Sequence, residues 1–321
     1  MSRSLAARSV FLLSLSSVNK VKARLIFIMG WKIIEVESGD SLNLFLNNLV
    51  IKHSNDKIII PINDIDVLLI NNYKLKITIN LINELAENNV LTIICDNKYL
   101  PTTNILPIIG NFNTIKVLDK QINWTAIYKS DKWKQIIKQK IINQAQLISV
   151  LKNDSDLAAK ILELTNEIKE FDVSNREGHA AKMYWHSLFG LNFKRHDDDY
   201  CNSLLNYGYT ILRSYFTRSI IKKGLDPRIS LNHKSYHNYF ALASDLMEPF
   251  RILIDYEVYK LNQLNEKNFY NHKQTLIECF NKKIFINNKK NFINNAIDIY
   301  VDAIVNQDEQ LPSVELDYEW F

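Results

Sequence analysis

The feature that most constrains this chain is a change of hydrophobic period near residue 110. From Trp31 to about Asp96 the apolar residues come in short β-branched runs: "WKIIEV", "SLNLFLNN", "LVIKH", "KIIIPI" and "DIDVLLI". Ser, Gly, Asn and Asp separate them, a pattern that predicts short strands. One segment, "ITINLINELAENN", instead repeats at helical spacing: Ile79, Leu81, Ile82 and Leu85 fall on one face, with Asn at the exit. "VLTIICD" returns to strand. "KYLPTTNILPIIGNF" then gathers two of the six prolines and a Gly, and beyond Lys116 the pattern is helical almost to the end. In "WTAIYKSDKWKQIIKQKIINQAQLISVLK", Trp133, Ile136, Ile137, Ile141 and Leu147 recur as the core face of a long amphipathic helix. Lys134, Lys138 and Lys140 read as its solvated face before they read as phosphate contacts. The fold class is therefore α+β, a small N-terminal β-sheet domain with one helix followed by a larger all-α C-terminal domain. The boundaries are 1–28 for an N-terminal extension, 29–108 for the β-rich domain, 109–309 for the α-helical domain and 310–321 for an acidic tail.

Composition narrows the chemistry. In 321 residues there are 7 Gly, and neither G-x-G-x-x-G nor G-x-x-x-x-G-K occurs, which disfavours the common nucleotide-dependent reactions. Cys95, Cys201 and Cys279 are odd in number, far apart and without zinc spacing, as expected of buried thiols in a reduced, cytoplasmic protein. The first 28 residues hold Arg3, Arg8, Lys20, Lys22 and Arg24 and no acid. Their apolar stretch "VFLLSLSSV" permits a signal-peptide reading, but nothing downstream looks secreted. An extension upstream of a start at Met29, dispensable for folding, is the preferred reading. No later run approaches the roughly 18 apolar residues of a membrane span.

Without those five basic side chains the net charge of +4 disappears, so a basic pI is no argument for nucleic acid. The distribution says more. Residues 29–110 carry 6 basic and 9 acidic side chains and residues 252–321 carry 7 and 11, whereas residues 111–251 carry 21 and 15. Positive charge collects in the middle of the chain, which suits a polyanion there.

Three segments in or next to that region carry unusual polar residues. In "SNREGHAAKMYWHSLFG", Ser174 and Glu177 have capping-box spacing, which explains Glu177 structurally. Yet at about 100° per residue Ala180, Ala181, Tyr184 and Leu188 surround its direction. A carboxylate on an apolar face needs a cation, a metal or a donor. In "GLDPRISLNHKSYHNYF", His233 follows a turn and His237 lies four residues on, without the H-E-x-x-H of a zinc site. In "LASDLMEPFR", Asp245 and Glu248 share a helical face beside Pro249 and Arg251, where acids also complement a helix dipole. Asp197, Asp198 and Asp199 look like a metal cluster but read more simply as a surface loop.

Together these segments resemble the CRISPR-associated spacer-acquisition integrase family, Cas one. "NREGHAAKMYW" is similar to that family's glutamate helix, "LNYGYTILRSYFTRSIIKKGLDPRI" to the helix and turn before its histidine, and "ASDLMEPFR" to its acidic signature. "IPINDIDVLLINN" and "LAENNVLTIICDNKYLP" extend the likeness into the sheet domain. "KWKQIIKQKIINQAQ" and "DLMEPFR" look most like the type II version. The resemblance implies a metal-dependent DNA endonuclease and integrase of CRISPR adaptation. Glu177, His233 and Glu248 would hold Mg²⁺ or Mn²⁺, the hard cations that two carboxylates and an imidazole suit. Many members read Gly-hydrophobic-His; here Asn232 precedes His233, whose 15-position spacing to Glu248 assigns it as the ligand, with His237 the less favoured choice.

Asp245 would be a supporting acid or an auxiliary ligand, and Arg251 would pair with a carboxylate or phosphate. Lys182, Arg195, Arg213, Lys222 and Lys223 are candidate DNA contacts. The implied reaction is attack of the 3′-hydroxyl of a captured duplex on the repeat end of a CRISPR array; the same site could reverse it or hydrolyse branched DNA. The implied partners are double-stranded DNA (prespacer and CRISPR repeat), a second copy forming a homodimer through the β domains, and the small companion Cas two. A type II effector nuclease and a DNA-end-binding accessory protein complete the set. The rival readings are a stand-alone structure-specific nuclease and a non-catalytic DNA-ruler subunit.

Overall fold

The β-branched runs of the N-terminal third pair into two sheets in this computed structural model, which describes residues 12–13, 23–28, 31–108, 110–233, 238–264 and 267–317. The strands are β1 (Leu12–Leu13), β2 (Ala23–Ile28), β3 (Trp31–Val36), β4 (Ser41–Phe45), β5 (Asn48–His53), β6 (Asp56–Pro61), β7 (Ile65–Ile70) and β8 (Lys76–Ile77). Helix α1 (Ile79–Glu87), β9 (Leu91–Cys95) and β10 (Pro101–Ile105) follow. One sheet has the order β1-β2-β3-β7-β9-β10 and the other β6-β5-β4-β8. Strand β7 is parallel to both β3 and β9 and buried at all six residues, which is why "IDVLLI" shows no alternation. Leu81 and Leu85 of α1 join Ile34, Leu42, Ile51 and Leu68 in the core. Ile79, at the first helical position, points out instead.

The sheet begins upstream of Met29. Strand β2 pairs antiparallel with β3 from Ala23↔Val36 to Ile28↔Trp31. The basic segment 1–28 is therefore not wholly apart from the sheet domain, because an exposed strand edge accepts any extended neighbour. Apart from β1 and β2, residues 1–28 lie outside the described residues.

Residues 109–321 form a separate unit, and the chain divides between Ile108 and Ile109. This unit is largely helical: α2 (Thr114–Ile122), α3 (Ala126–Lys152), α4 (Ser155–Glu163), α5 (Arg176–Phe189), α6 (Tyr200–Lys222), α7 (Ala241–Leu246), α8 (Ile252–Asn262) and α9 (Phe269–Glu278). It is not purely α. Strands β11 (Lys283–Ile286) and β12 (Lys289–Phe292) form a hairpin across Asn287 and Asn288, both at positive φ, as a tight primed turn requires. Helix α10 (Ile293–Asn306) follows, and β13 (Val314–Leu316) adds antiparallel to β11. Where the sequence predicts a separate acidic tail, Val314 is buried and Lys290 pairs with Asp317.

Helix α3 is capped by Thr125, whose Oγ1 accepts from the Tyr128 amide at 3.1 Å, and ends at Asn153 in the left-handed region. Its predicted face is buried: Trp133, Ile136, Ile137, Ile141 and Leu147. Asn143 on the same helix donates to the Pro249 carbonyl at 2.8 Å, tying α3 to the short turn Glu248–Phe250 that leads into α8. Gly208 lets α6 meet α8 closely; a Cβ there would stand 2.5 Å from Ile254 Cγ2.

Candidate active site

Helix α5 starts differently from the capping-box prediction. Asn175 stands in the left-handed region, and Asp172 receives the first amides instead: Oδ1 from Arg176 at 2.9 Å and Oδ2 from Glu177 at 2.9 Å. Ser174 turns away and donates to the Glu167 carbonyl. Glu177 is thereby free of any capping duty for its side chain, and its carboxylate reaches across to α3. Of the apolar residues predicted around it, Ala180, Tyr184 and Leu188 are buried and Ala181 is half-buried.

The carboxylate meets a partner that the sequence reading left on the solvated face. Lys140 Nζ lies 2.5 Å from Glu177 Oε1 and 2.6 Å from Glu248 Oε2. The lysine side chain is only 12% exposed, that of Glu248 4% and that of Glu177 30%. The contact to Glu248 is a close ion contact without hydrogen-bond geometry, so the buried Oε2 has no hydrogen-bond donor. The other oxygen, Oε1, takes Arg251 Nη2 at 2.8 Å. Burial pushes the Glu248 carboxyl up, but Arg251 and then Lys140 outweigh it and hold the group below the usual carboxylate range. Burial likewise pulls Lys140 down, and Glu248 followed by Glu177 more than restores it. Both groups are held charged.

His233 belongs to the loop between α6 and α7, and Asp245 organises that loop. The fully buried Asp245 carboxylate accepts the amides of Leu231 at 2.7 Å and Asn232 at 3.0 Å through Oδ2. Oδ1 receives His233 Nδ1. The Trp133 ring meets the imidazole edge-on at 5.7 Å. An Nδ1–H committed to Asp245 leaves Nε2 as the ring nitrogen able to ligate. The Asp245 hydrogen bond raises the imidazole pKa, with burial opposing. Because both Asp245 oxygens are engaged, this residue is placed to support rather than to ligate.

Glu177, His233 and Glu248 all line one cavity of ≈ 270 Å³, together with Lys140, Arg195 and Arg251. Arg251 stacks over the Tyr209 ring at 4.5 Å and Arg195 over the same ring at 5.3 Å. Arg213 lies over Phe240, and burial followed by the nearby Arg251 lowers its pKa. Lys182 is exposed on α5. Lys222 and Lys223 are tied to Asp298 at 2.7 Å and Asp302 at 2.6 Å, which gives both a structural role in joining α6 to α10. His237 lies outside the described residues. Asp197 and Asp198 are exposed, and Asp199 caps α6 through the Asn202 amide at 2.9 Å.

Among the described residues no three His, Cys, Asp or Glu side chains stand close enough to hold a metal ion as they are. The donor set nevertheless suits one. Two carboxylates face each other across a cation, one of them has a buried oxygen lacking a hydrogen bond, and an oriented imidazole shares their cavity. The ammonium of Lys140 bridges the two carboxylates.

Tyr209 and Asp255 also line the cavity, and with Tyr184 they form a polar cluster that the sequence does not reveal. Tyr184 donates to Asp255 Oδ2 at 2.9 Å, and Tyr209 donates to Oδ1. Burial raises the Asp255 carboxyl from 3.8 to about 6 despite these donors. A raised carboxyl means the folded state holds its proton more tightly than the unfolded chain. Its stabilising contribution is thus complete below pH 3.8 and lost as pH rises through about 6. In urea melts, the stability of the wild type relative to Asp255→Asn should fall between pH 4 and 7, by on the order of 3 kcal/mol. A pH-independent difference would show that Asp255 is ionised at its ordinary pKa.

The family model described as CRISPR associated protein Cas1 matches residues 34–288. The chain is 34% identical over 279 residues to the CRISPR-associated endonuclease Cas1 of Neisseria meningitidis serogroup C, covering 86% of this chain and 91% of that one. In fold it is similar to a casposase bound to integration product, with a TM-score of 0.63 and 20% identity over 88% of this chain and 92% of that one. It is also similar to a chain of a Cas6-RT-Cas1--Cas2 complex, with a TM-score of 0.68 and 18% identity over 91% of this chain and 37% of that one. The chain belongs to the CRISPR-associated Cas1 protein family.

Proposed function

We propose that this chain is a DNA endonuclease and integrase of CRISPR adaptation, joining the 3′-hydroxyl ends of captured DNA to the repeat of a CRISPR array. The observation that carries the reading is the convergence of Glu177, His233 and Glu248, from three separate parts of the chain, onto one cavity edged by arginines. Family membership and the likeness to a casposase bound to integration product support it. In the proposed transesterification the attacking 3′ oxygen forms a new P–O bond as the P–O3′ bond of the target strand breaks. One phosphodiester replaces another, so no nucleotide hydrolysis is required. That agrees with a chain lacking a phosphate-binding Gly loop.

Glu177, Glu248 and Nε2 of His233 would hold Mg²⁺ or Mn²⁺. Such an ion supplies Lewis-acid stabilisation of charge developing on phosphate oxygens. The protein's own part is to position and to attract. Asp245 fixes the imidazole, Arg251 holds Glu248 ionised, and Arg195 in the cavity, with Arg213 near Arg251, raises the local positive potential that draws a phosphate in. The nucleophile comes from the DNA, so the cavity needs no Ser or Cys. Double-stranded DNA is the substrate, a homodimer formed by the β domains is the working unit, and two such dimers flank a small Cas2-like companion dimer. A type II effector nuclease and a DNA-end binder assist this assembly. Among the described residues no helix is long and apolar enough to cross a membrane, and the reading places the protein in the cytoplasm.

The test is a joining assay with a labelled 3′-hydroxyl duplex, supercoiled repeat DNA and the companion subunit, with Mn²⁺ present. Label transferred to the repeat end supports the integrase. Cutting without joining favours a stand-alone nuclease, and neither activity favours a DNA ruler. The same assay tests the N-terminal segment. A chain trimmed to begin at Met29 loses β1 and β2 and keeps β3 paired with β7, so it should fold and join DNA at the wild-type rate. A melting temperature lower by more than about 8 °C, which for a unit of this size is over 1 kcal/mol, would show that segment to be structural.

A further inference from the structure

A lysine buried between two carboxylates is more than is needed to neutralise one of them. Glu248 already has Arg251 at 2.8 Å on Oε1. Lys140 approaches the opposite oxygen, Oε2, and shares itself with Glu177 on another helix. Its stem comes off the packed face of α3, three and four residues from Ile137 and Ile136, so the ammonium is delivered by a rigid element. Glu177, Glu248, Lys140 and Arg251 thus form a set of two negative and two positive charges that balances without any further ion. Two carboxylates brought together with no cation between them would repel and one would have to take a proton. The ammonium therefore offsets the repulsion between the two carboxylates, as a divalent ion would.

We propose that Lys140 is a built-in counter-cation: it holds Glu177 and Glu248 together while the site lacks metal, and it yields its place between them when a divalent ion binds. The proposal rests on the metal reading given above. Both cations seek the same two oxygens, so binding of the ion must include the cost of displacing the ammonium. The lysine stem keeps the displaced charge inside the cavity, so it stays available to an incoming phosphate.

The full-length protein and Lys140→Met are compared by titration calorimetry with Mn²⁺ alone and by melting with and without Mn²⁺. The proposal expects Lys140→Met to melt lower than wild type without metal. It expects Mn²⁺ to bind this variant about 10-fold more tightly, which is about 1.4 kcal/mol, and to raise its melting temperature more. Equal or weaker Mn²⁺ binding by Lys140→Met overturns the proposal. Glu177→Gln and Glu248→Gln run beside it separate the two ideas. If both weaken Mn²⁺ binding while Lys140→Met does not tighten it, the counter-cation idea alone falls. If neither changes Mn²⁺ binding, the metal site itself is elsewhere and both fall. Should Lys140→Met not fold, wild type labelled at its lysine Nζ answers by NMR under Mg²⁺ titration. A buried ammonium signal that shifts or exchanges as Mg²⁺ binds supports displacement, and one unmoved at saturation refutes it.

Discussion

Glu177→Ala should reduce DNA joining by about 10³-fold or more without unfolding the protein. Glu177 is the most exposed of the three proposed ligands after His233, and among the described residues its carboxylate pairs with Lys140, so its loss leaves the apolar core intact. Glu248 requires a gentler change. It is buried between Arg251 and Lys140, and truncation would strand two cations, a cost of roughly 3–5 kcal/mol. Glu248→Gln keeps the shape and removes the charge, and it should be as inactive as Glu177→Ala. Because both act through one shared centre, the double variant should be little slower than either single one. Rates near wild type for Glu248→Gln, with an unchanged melting curve, would remove the site from the reaction. Multiplying losses in the double variant would mean that the two carboxylates act separately.

The second large effect separates the histidine from its support. His233→Asn should lower joining by about 10²-fold or more, because Asn cannot present an imidazole nitrogen to the cavity. His237→Asn, four residues on, should weaken joining only mildly. The reverse result would move the ligand to His237. Asp245→Ala tests the support. It leaves the Leu231 and Asn232 amides and the His233 Nδ1–H without their acceptor and opens a void at a fully buried position. Each orphaned donor costs about 1–3 kcal/mol, so the loop between α6 and α7 should loosen. Joining should then fall nearly as far as in His233→Asn, although Asp245 does not line the cavity. Full activity in Asp245→Ala would show that the imidazole is oriented by something else.

The residues that proved hardest to read were charged ones on apolar faces. The β-branched runs and the long helix could be read directly because strand and helix periods involve neighbours no more than a few positions apart. The same periodicity contains a further clue. Lys140 lies three and four residues from Ile137 and Ile136 and seven from Trp133, on the face that became buried, but its charge suggested solvent. Conversely, Lys222 and Lys223 looked free for DNA because their partners, Asp298 and Asp302, lie more than seventy positions away. The capping box failed for a local reason. Asp172, four residues before Arg176, competes for the same amides and is better placed once Asn175 adopts a left-handed backbone.

Sequence alone determined the order of sheet then helices, the core face of α3, Leu81 and Leu85 as the core residues of α1, the family resemblance, and Glu177, His233 and Glu248 as the candidate site residues. Only the tertiary structure decided which charges meet. It set Lys140 between two carboxylates, committed both oxygens of Asp245 to the His233 loop, and joined buried Asp255 to the hydroxyls of Tyr184 and Tyr209. It also drew the segment before Met29 and the acidic end into sheets. Period and propensity are properties of a few consecutive residues, whereas a charge's partner depends on how helices far apart in sequence pack against one another. A lone lysine in a sequence therefore carries no record of the carboxylates it will neutralise.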